Sequence, residues 1–107
     1  MKIHEFAEKH GLAKRQVDYY TAKKLLNPEV MENGYRDYNA RCEEEVKSII
    51  LAKAMGYKVD RENIDAVQAL LKLDYGRRFI QSQIEFHYDN VLKEYNRAKK
   101  VIEEWEV

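Results

Sequence analysis

Apolar side chains between Ile3 and His10 fall at Ile3, Phe6 and Ala7, with Glu5, Glu8 and Lys9 on the other side. That spacing predicts a helix over residues 3–10, stopped by Gly11. Leu12 is then the apolar plug of a tight turn into a second helix over residues 14–25. Its inward face is Val17, Tyr20 or Thr21, and Leu25; Arg15, Asp18, Tyr19 and Ala22 face the other way. Two short helices about a glycine turn predict a helix-turn-helix.

Asn27-Pro28 ends the second helix, because proline disfavours helix at the residue before it. Residues 29–31 are a candidate short strand, and Asn33-Gly34 supplies the positive φ of a tight hairpin turn. Residues 35–38 return, with Tyr35 and Asp37 alternating against Arg36 and Tyr38. The hairpin is a wing.

A third helix is expected over residues 40–55, capped near Asn39, with Val46, Ile49, Ile50 and Ala52 at helical spacing. Gly56 closes it, and Asp60 caps a fourth over residues 61–73 with Ile64, Val67, Leu70 and Leu71 inward. No proline or glycine interrupts residues 77–105. There Ile80, Ile84, His87, Val91, Glu94, Ala98, Val101 and Trp105 alternate four and three residues apart, an imperfect heptad seam. Tyr88, Leu92, Tyr95 and Ile102 widen it. A helix of that length spans roughly 43 Å and needs a partner along its apolar side, for which a second copy is the simplest choice.

The expected fold is mainly α: a winged helix-turn-helix with a two-stranded wing, a helical pair, and a long C-terminal coiled-coil helix. Residues 1–75 form the winged-helix domain in this reading and residues 76–107 the dimerisation helix.

Charge changes the picture little. The chain has 107 residues, a net charge of zero and 36% charged side chains. Met1 to Arg41 holds eight Lys/Arg against six Asp/Glu, and the remainder eleven against thirteen, so the first part carries the positive excess. A local basic face can serve nucleic acid on a neutral molecule. One cysteine, Cys42, rules out an internal disulfide and a multi-cysteine zinc site, and as a lone thiol it is a weak redox-sensor candidate. Neither a membrane-spanning run nor a signal segment is visible, so the expected compartment is the cytoplasm. No cofactor, metal or membrane partner is expected. His4-Glu5-x-x-Glu8 lacks the second histidine of a zinc-protease helix, and no glycine-rich phosphate loop occurs, so catalysis is not expected.

Lys14, Arg15, Asp18, Tyr19, Lys23, Arg36 and Tyr38 are the candidate site, suited together to double-stranded DNA. Arg15 is the leading base reader, since arginine pairs bidentately with guanine. Arg36, Tyr38, Tyr19, Lys14 and Lys23 are candidate phosphate contacts. The aromatic residues Tyr75, Phe79, Phe86, Tyr88 and Tyr95 could line an effector pocket, though such a stripe more often serves as core or dimer seam.

These motifs resemble the MerR family of transcriptional regulators over nearly the whole sequence. Ile3-x-Glu5-Phe6-Ala7 looks like the family's opening helix and Gly11-Leu12 like its Gly-Val turn. Val17-x-Tyr19-Tyr20 stands where the family has Arg-Tyr-Tyr, and Leu25-Leu26 with Pro28 is similar to its Gly-Leu-Leu-x-Pro exit. Asn33-Gly34-Tyr35-Arg36-x-Tyr38 matches the wing motif, and Met55-Gly56-Tyr57 followed by residues 60–71 is similar to the Leu-Gly-Phe and helix beyond it. The resemblance implies a homodimer on a pseudo-palindromic operator, one recognition helix per subunit in the major groove, and a promoter distortion that makes the site usable by RNA polymerase.

Three departures stand out. Asp18 replaces the usual arginine, so it either reads a cytosine amino group or weakens binding. Ala13-Lys14 replaces a Ser-Val opening. The sequence runs to Val107, directly after the long helix, so no separate effector domain is expected. The alternative reading is an excisionase-like recombination directionality factor or an architectural DNA-binding protein, which would share the first 40 residues.

Overall fold

Side chains spaced for helix faces close on one another in the computed structural model, which describes residues 1–105. Five helices and one hairpin follow in order: α1 (Ile3–Lys9), α2 (Lys14–Ala22), β1 (Glu29–Val30), β2 (Arg36–Asp37), α3 (Ala40–Ala54), α4 (Arg61–Leu71) and α5 (Gly76–Glu104). The fold is mainly helical with a two-stranded antiparallel wing, as the sequence predicts.

One cluster forms the core beneath the helix-turn-helix. Phe6 and Ala7 from α1, Val17 and Tyr20 from α2, and Cys42, Val46 and Ile49 from α3 are all buried in it. A smaller cluster joins Ala52 and Met55 of α3, Val67 of α4 and Ile80 of α5. Burying an aliphatic or aromatic side chain of this kind contributes roughly 1.5–3 kcal/mol. The α5 helix is held only at its start: Ile80 is buried and Ile84 half-buried, and from Tyr88 onward every described side chain is exposed.

Caps and turns follow the sequence closely. Asn39 Oδ1 accepts from the Arg41 and Cys42 amides at 3.2 and 3.4 Å, and Asp60 Oδ1 from Asn63 at 2.8 Å. Ala13 offers α2 no side-chain oxygen, but its own amide donates to Gln16 Oε1 at 2.9 Å, which ties that helix start from the other side.

Several boundaries differ from expectation. The α2 helix ends at Ala22, not residue 25, because Lys24 adopts φ 61° and turns the chain. That turn lets Leu25 and Leu26 drop into the core instead of following the helix. The strands are two residues each, and α4 stops at Leu71. Ile50 and Leu71, counted on apolar faces, are 38% and 39% exposed, since α3 and α4 pack on each other with faces narrower than their apolar stripes. The expected dimerisation segment 76–107 ends in two residues that lie outside the described ones. Among the described residues no helix is long and apolar enough to cross a membrane.

Candidate nucleic-acid interface

The outer face of α2 presents Lys14, Arg15, Asp18, Tyr19, Ala22 and Lys23, all exposed, because Val17 and Tyr20 take the inner face. Arg15 forms no salt bridge among the described residues, so its guanidinium is available to an external acceptor. Tyr19 is 57% exposed. The Lys23 ammonium lies 5.7 Å from the centre of its ring, so the two side chains form one amphipathic patch.

The wing stands beside this face. Glu29 pairs with Asp37 and Val30 with Arg36, while Met31 donates to the Tyr35 carbonyl at 2.7 Å across the turn. Gly34 takes φ 84°, which closes the hairpin and is open to glycine without strain. Asn33 Oδ1 accepts from the Tyr35 amide at 3.1 Å and stiffens the tip. The root is fastened to the start of the chain by the Tyr38 amide, which donates to the Met1 carbonyl at 2.9 Å.

Arg36 and Tyr38 part company here. Arg36 is exposed on the wing, whereas Tyr38 is 2% exposed, its ring stacked on Phe6 with centroids 5.0 Å apart. Its hydroxyl shares a hydrogen bond of 3.0 Å with Thr21 Oγ1, which in turn donates to the Val17 carbonyl. Tyr38 is therefore a packing residue that fixes the wing root against α2, not a phosphate contact. The alternation expected from the strand fails because β2 ends at Asp37 and the chain turns inward at once.

Between wing and helix lies an open cleft of about 450 Å³, lined among others by Lys2, Lys14, Asp18, Tyr35 and Arg36. Asp18 Oδ1 is 3.9 Å from Arg36 Nη1 across it. Lys2 and Tyr35 line it too but are not among the sequence-predicted site residues: Lys2 precedes the first periodic apolar residue, and Tyr35 is marked only as part of the wing.

A buried carboxylate supports the exit of α2. Glu45 is 3% exposed, and its two oxygens accept from the Asn27 amide at 3.0 Å and the Asn27 side chain at 2.7 Å. Arg41 and Arg61 lie 3.7 and 3.9 Å from the same carboxylate. Elsewhere, burial pushes the Cys42 thiol up, which suits an inert core residue. Among the described residues no group of three His, Cys, Asp or Glu could hold a metal ion.

Comparisons with known proteins agree with this geometry. The profile for the MerR HTH family of regulatory proteins matches residues 1–72. The HTH-type transcriptional regulator CueR of Yersinia pestis is 38% identical over 61 residues, covering 56% of this chain and 44% of that protein. The regulator HmrR of Rhizobium leguminosarum bv. viciae is 33% identical over 60 residues, covering 56% and 46%. The matched segment thus spans less than half the length of either relative. Among solved structures, the N-terminal part of MtaN, the Bacillus subtilis multidrug transporter activator, covers 96% of this chain and 92% of its own. Its TM-score of 0.54 at 24% identity shows the fold.

Proposed function

Because the chain belongs to the MerR HTH family of regulatory proteins, we propose that it is a sequence-specific, DNA-binding transcriptional regulator that acts as a homodimer. The observation that carries this is the joint exposure of Arg15 on α2 and Arg36 on the adjacent wing. In the proposed complex α2 enters the major groove and Arg15 reads a base edge. Lys14, Tyr19, Lys23 and Arg36 hold phosphates, which position the helix and carry no sequence information. Residues 1–75 form the DNA-binding unit and residues 76–107 the dimerisation helix. The two-fold symmetry of such a dimer matches a pseudo-palindromic operator. RNA polymerase at the same promoter is the partner whose access the bound dimer would set.

Support for the dimer comes from the exposed apolar side chains of α5, among them Val91, Leu92, Tyr95, Val101 and Ile102 at 42–70% exposure. A patch of this kind marks an interaction surface. The test is a selection of duplexes from a randomised pool, followed by titration of the selected and a scrambled duplex at two salt concentrations. Arg15→Ala is expected to cost about 1–3 kcal/mol on the selected duplex and to relax preference at one base pair per half-site. Arg36→Ala should weaken both duplexes alike and reduce the log–log salt slope by about one unit. Failure to retain any duplex, or a reversal of those two phenotypes, would sink the assignment.

A further inference from the structure

We propose that Asp18 is a built-in competitor for DNA phosphate: its carboxylate stands opposite the wing's Arg36 in the free protein and so lowers affinity for every duplex. This deepens the DNA-binding reading and rests on it.

The cleft between α2 and the wing brings three cations together, Lys2, Lys14 and Arg36, with Asp18 as the one acid lining it. Lys2 comes from the segment before α1, Lys14 from the start of α2 and Arg36 from β2, so three separate elements converge. An anion of phosphate size and charge suits such a convergence. The molecule supplies an anion of its own at that place. Asp18 Oδ1 stands 3.9 Å from Arg36 Nη1, and the two side chains are 49% and 51% exposed.

At that exposure the pair is weak, comparable to other surface ion pairs. It cannot lock the wing. A phosphate that meets Arg36, Lys14 and Lys2 at once outcompetes one carboxylate, so the pair opens when DNA arrives. The carboxylate nevertheless subtracts from the sequence-independent part of binding, which counts the phosphates neutralised and the counterions released. Base contacts from Arg15 then decide which duplexes stay bound at a given salt concentration. Asp18 touches DNA in neither state; it acts through Arg36 and is a positioning residue.

A double-mutant cycle tests this without knowledge of the operator. Wild type, Asp18→Asn, Arg36→Ala and the double variant are titrated against a fluorescent duplex of random sequence at two salt concentrations. The wild-type-selected duplex serves in parallel. Asp18 is exposed on α2, so its amide variant leaves the core intact, and matched melting curves confirm that. The expected result is a tightening of about two- to fivefold for Asp18→Asn on both duplexes, in keeping with the strength of exposed pairs. That gain should vanish in the Arg36→Ala background. An equal gain in both backgrounds would overturn the proposal, because Asp18 would then repel phosphate directly. Weaker binding of the selected duplex with tighter binding of the random one would also overturn it and make Asp18 a base reader. If wild type binds no duplex even at low salt, the DNA-binding reading itself fails, and this inference with it.

Discussion

Arg61 Nη2 donates to the backbone carbonyl of Lys24 across 2.7 Å, tying the first residue of α4 to the turn that ends α2. Lys24 sits at φ 61°, a conformation that costs a side-chain-bearing residue about 1–2 kcal/mol. The Arg61 bond and the Glu45–Asn27 pair hold that turn from two sides. Arg61→Ala is expected to lower stability by about 1 kcal/mol, since Arg61 is partly exposed and water can replace it. Glu45→Ala should cost more, roughly 2 kcal/mol, because it strips a buried partner from both Asn27 donors. Urea unfolding with an unchanged slope checks both. Negligible losses in both would mean that the α2 exit is held by Leu25 and Leu26 alone, and equal ones that burial of Glu45 adds nothing.

Much of this was legible in the sequence, and the failures have a common cause. Caps and helix cores are local, so Asn39, Asp60, Val46 and Ile64 could be placed from spacing. The wing turn was equally readable from Asn33-Gly34. Pairings across the fold were not. The Tyr38–Phe6 stack, the Asp18–Arg36 pair and the Asn27–Glu45 bonds each join residues 18 or more positions apart, with nothing in between to announce them. Tyr38 misled for a second reason. Its motif neighbours Tyr35 and Arg36 are exposed, and two-residue strands do not sustain the alternation that would have separated it from them.

Gly56 is a position where substitution should fail for two separable reasons. It takes φ 84°, and a Cβ there would lie 2.5 Å from Nδ1 of His87 on α5. Gly56→Ala is therefore expected to cost at least about 1–2 kcal/mol from the backbone alone, plus the displacement of His87. In a His87→Ala background the second part disappears while the first remains. A cycle of thermal melts separates them. No coupling between the two substitutions would show that the His87 ring gives way to the added methyl at no cost.

Acid should weaken the contact between α1 and α3. Burial raises the Glu43 carboxyl, but the hydrogen bond from Lys9 and the nearby charge of His10 and Lys9 outweigh it, so its pKa falls below the ordinary 4.5. Lys9 Nζ and His10 Nε2 each lie 2.8 Å from its oxygens. A depressed folded pKa contributes stability that is fully present above the unfolded value and is lost as pH falls through the folded one. Glu43→Gln should thus be less stable than wild type at neutral pH, with the gap closing below pH 4.5. Melting temperatures across that range decide it. A gap that stays constant on acidification would show that Glu43 contributes shape and not charge.

Most of α5 projects free of the winged domain. The helix runs 29 residues, and past Ile84 its described apolar side chains are exposed, with Phe86 65%, Tyr95 61% and Trp105 78%. It gives the described chain a long axis of 63 Å against 40 and 21 Å across. An isolated helix segment with an apolar side in water is marginal, so the stripe needs a cover to persist. With a second copy as that cover, Leu92→Glu places a charge on the stripe without touching the core around Phe6 and Ile49. The expected variant sediments as a monomer, keeps the near-ultraviolet signal of the winged domain and loses helicity from α5. Affinity for a two-half-site duplex should fall by about 10²-fold or more, because each half-site is then bound without its linked neighbour, while a single half-site is bound as before. A wild-type chain that sediments as a monomer at micromolar concentration would remove the dimer, and a Leu92→Glu variant that stays dimeric would place the interface elsewhere.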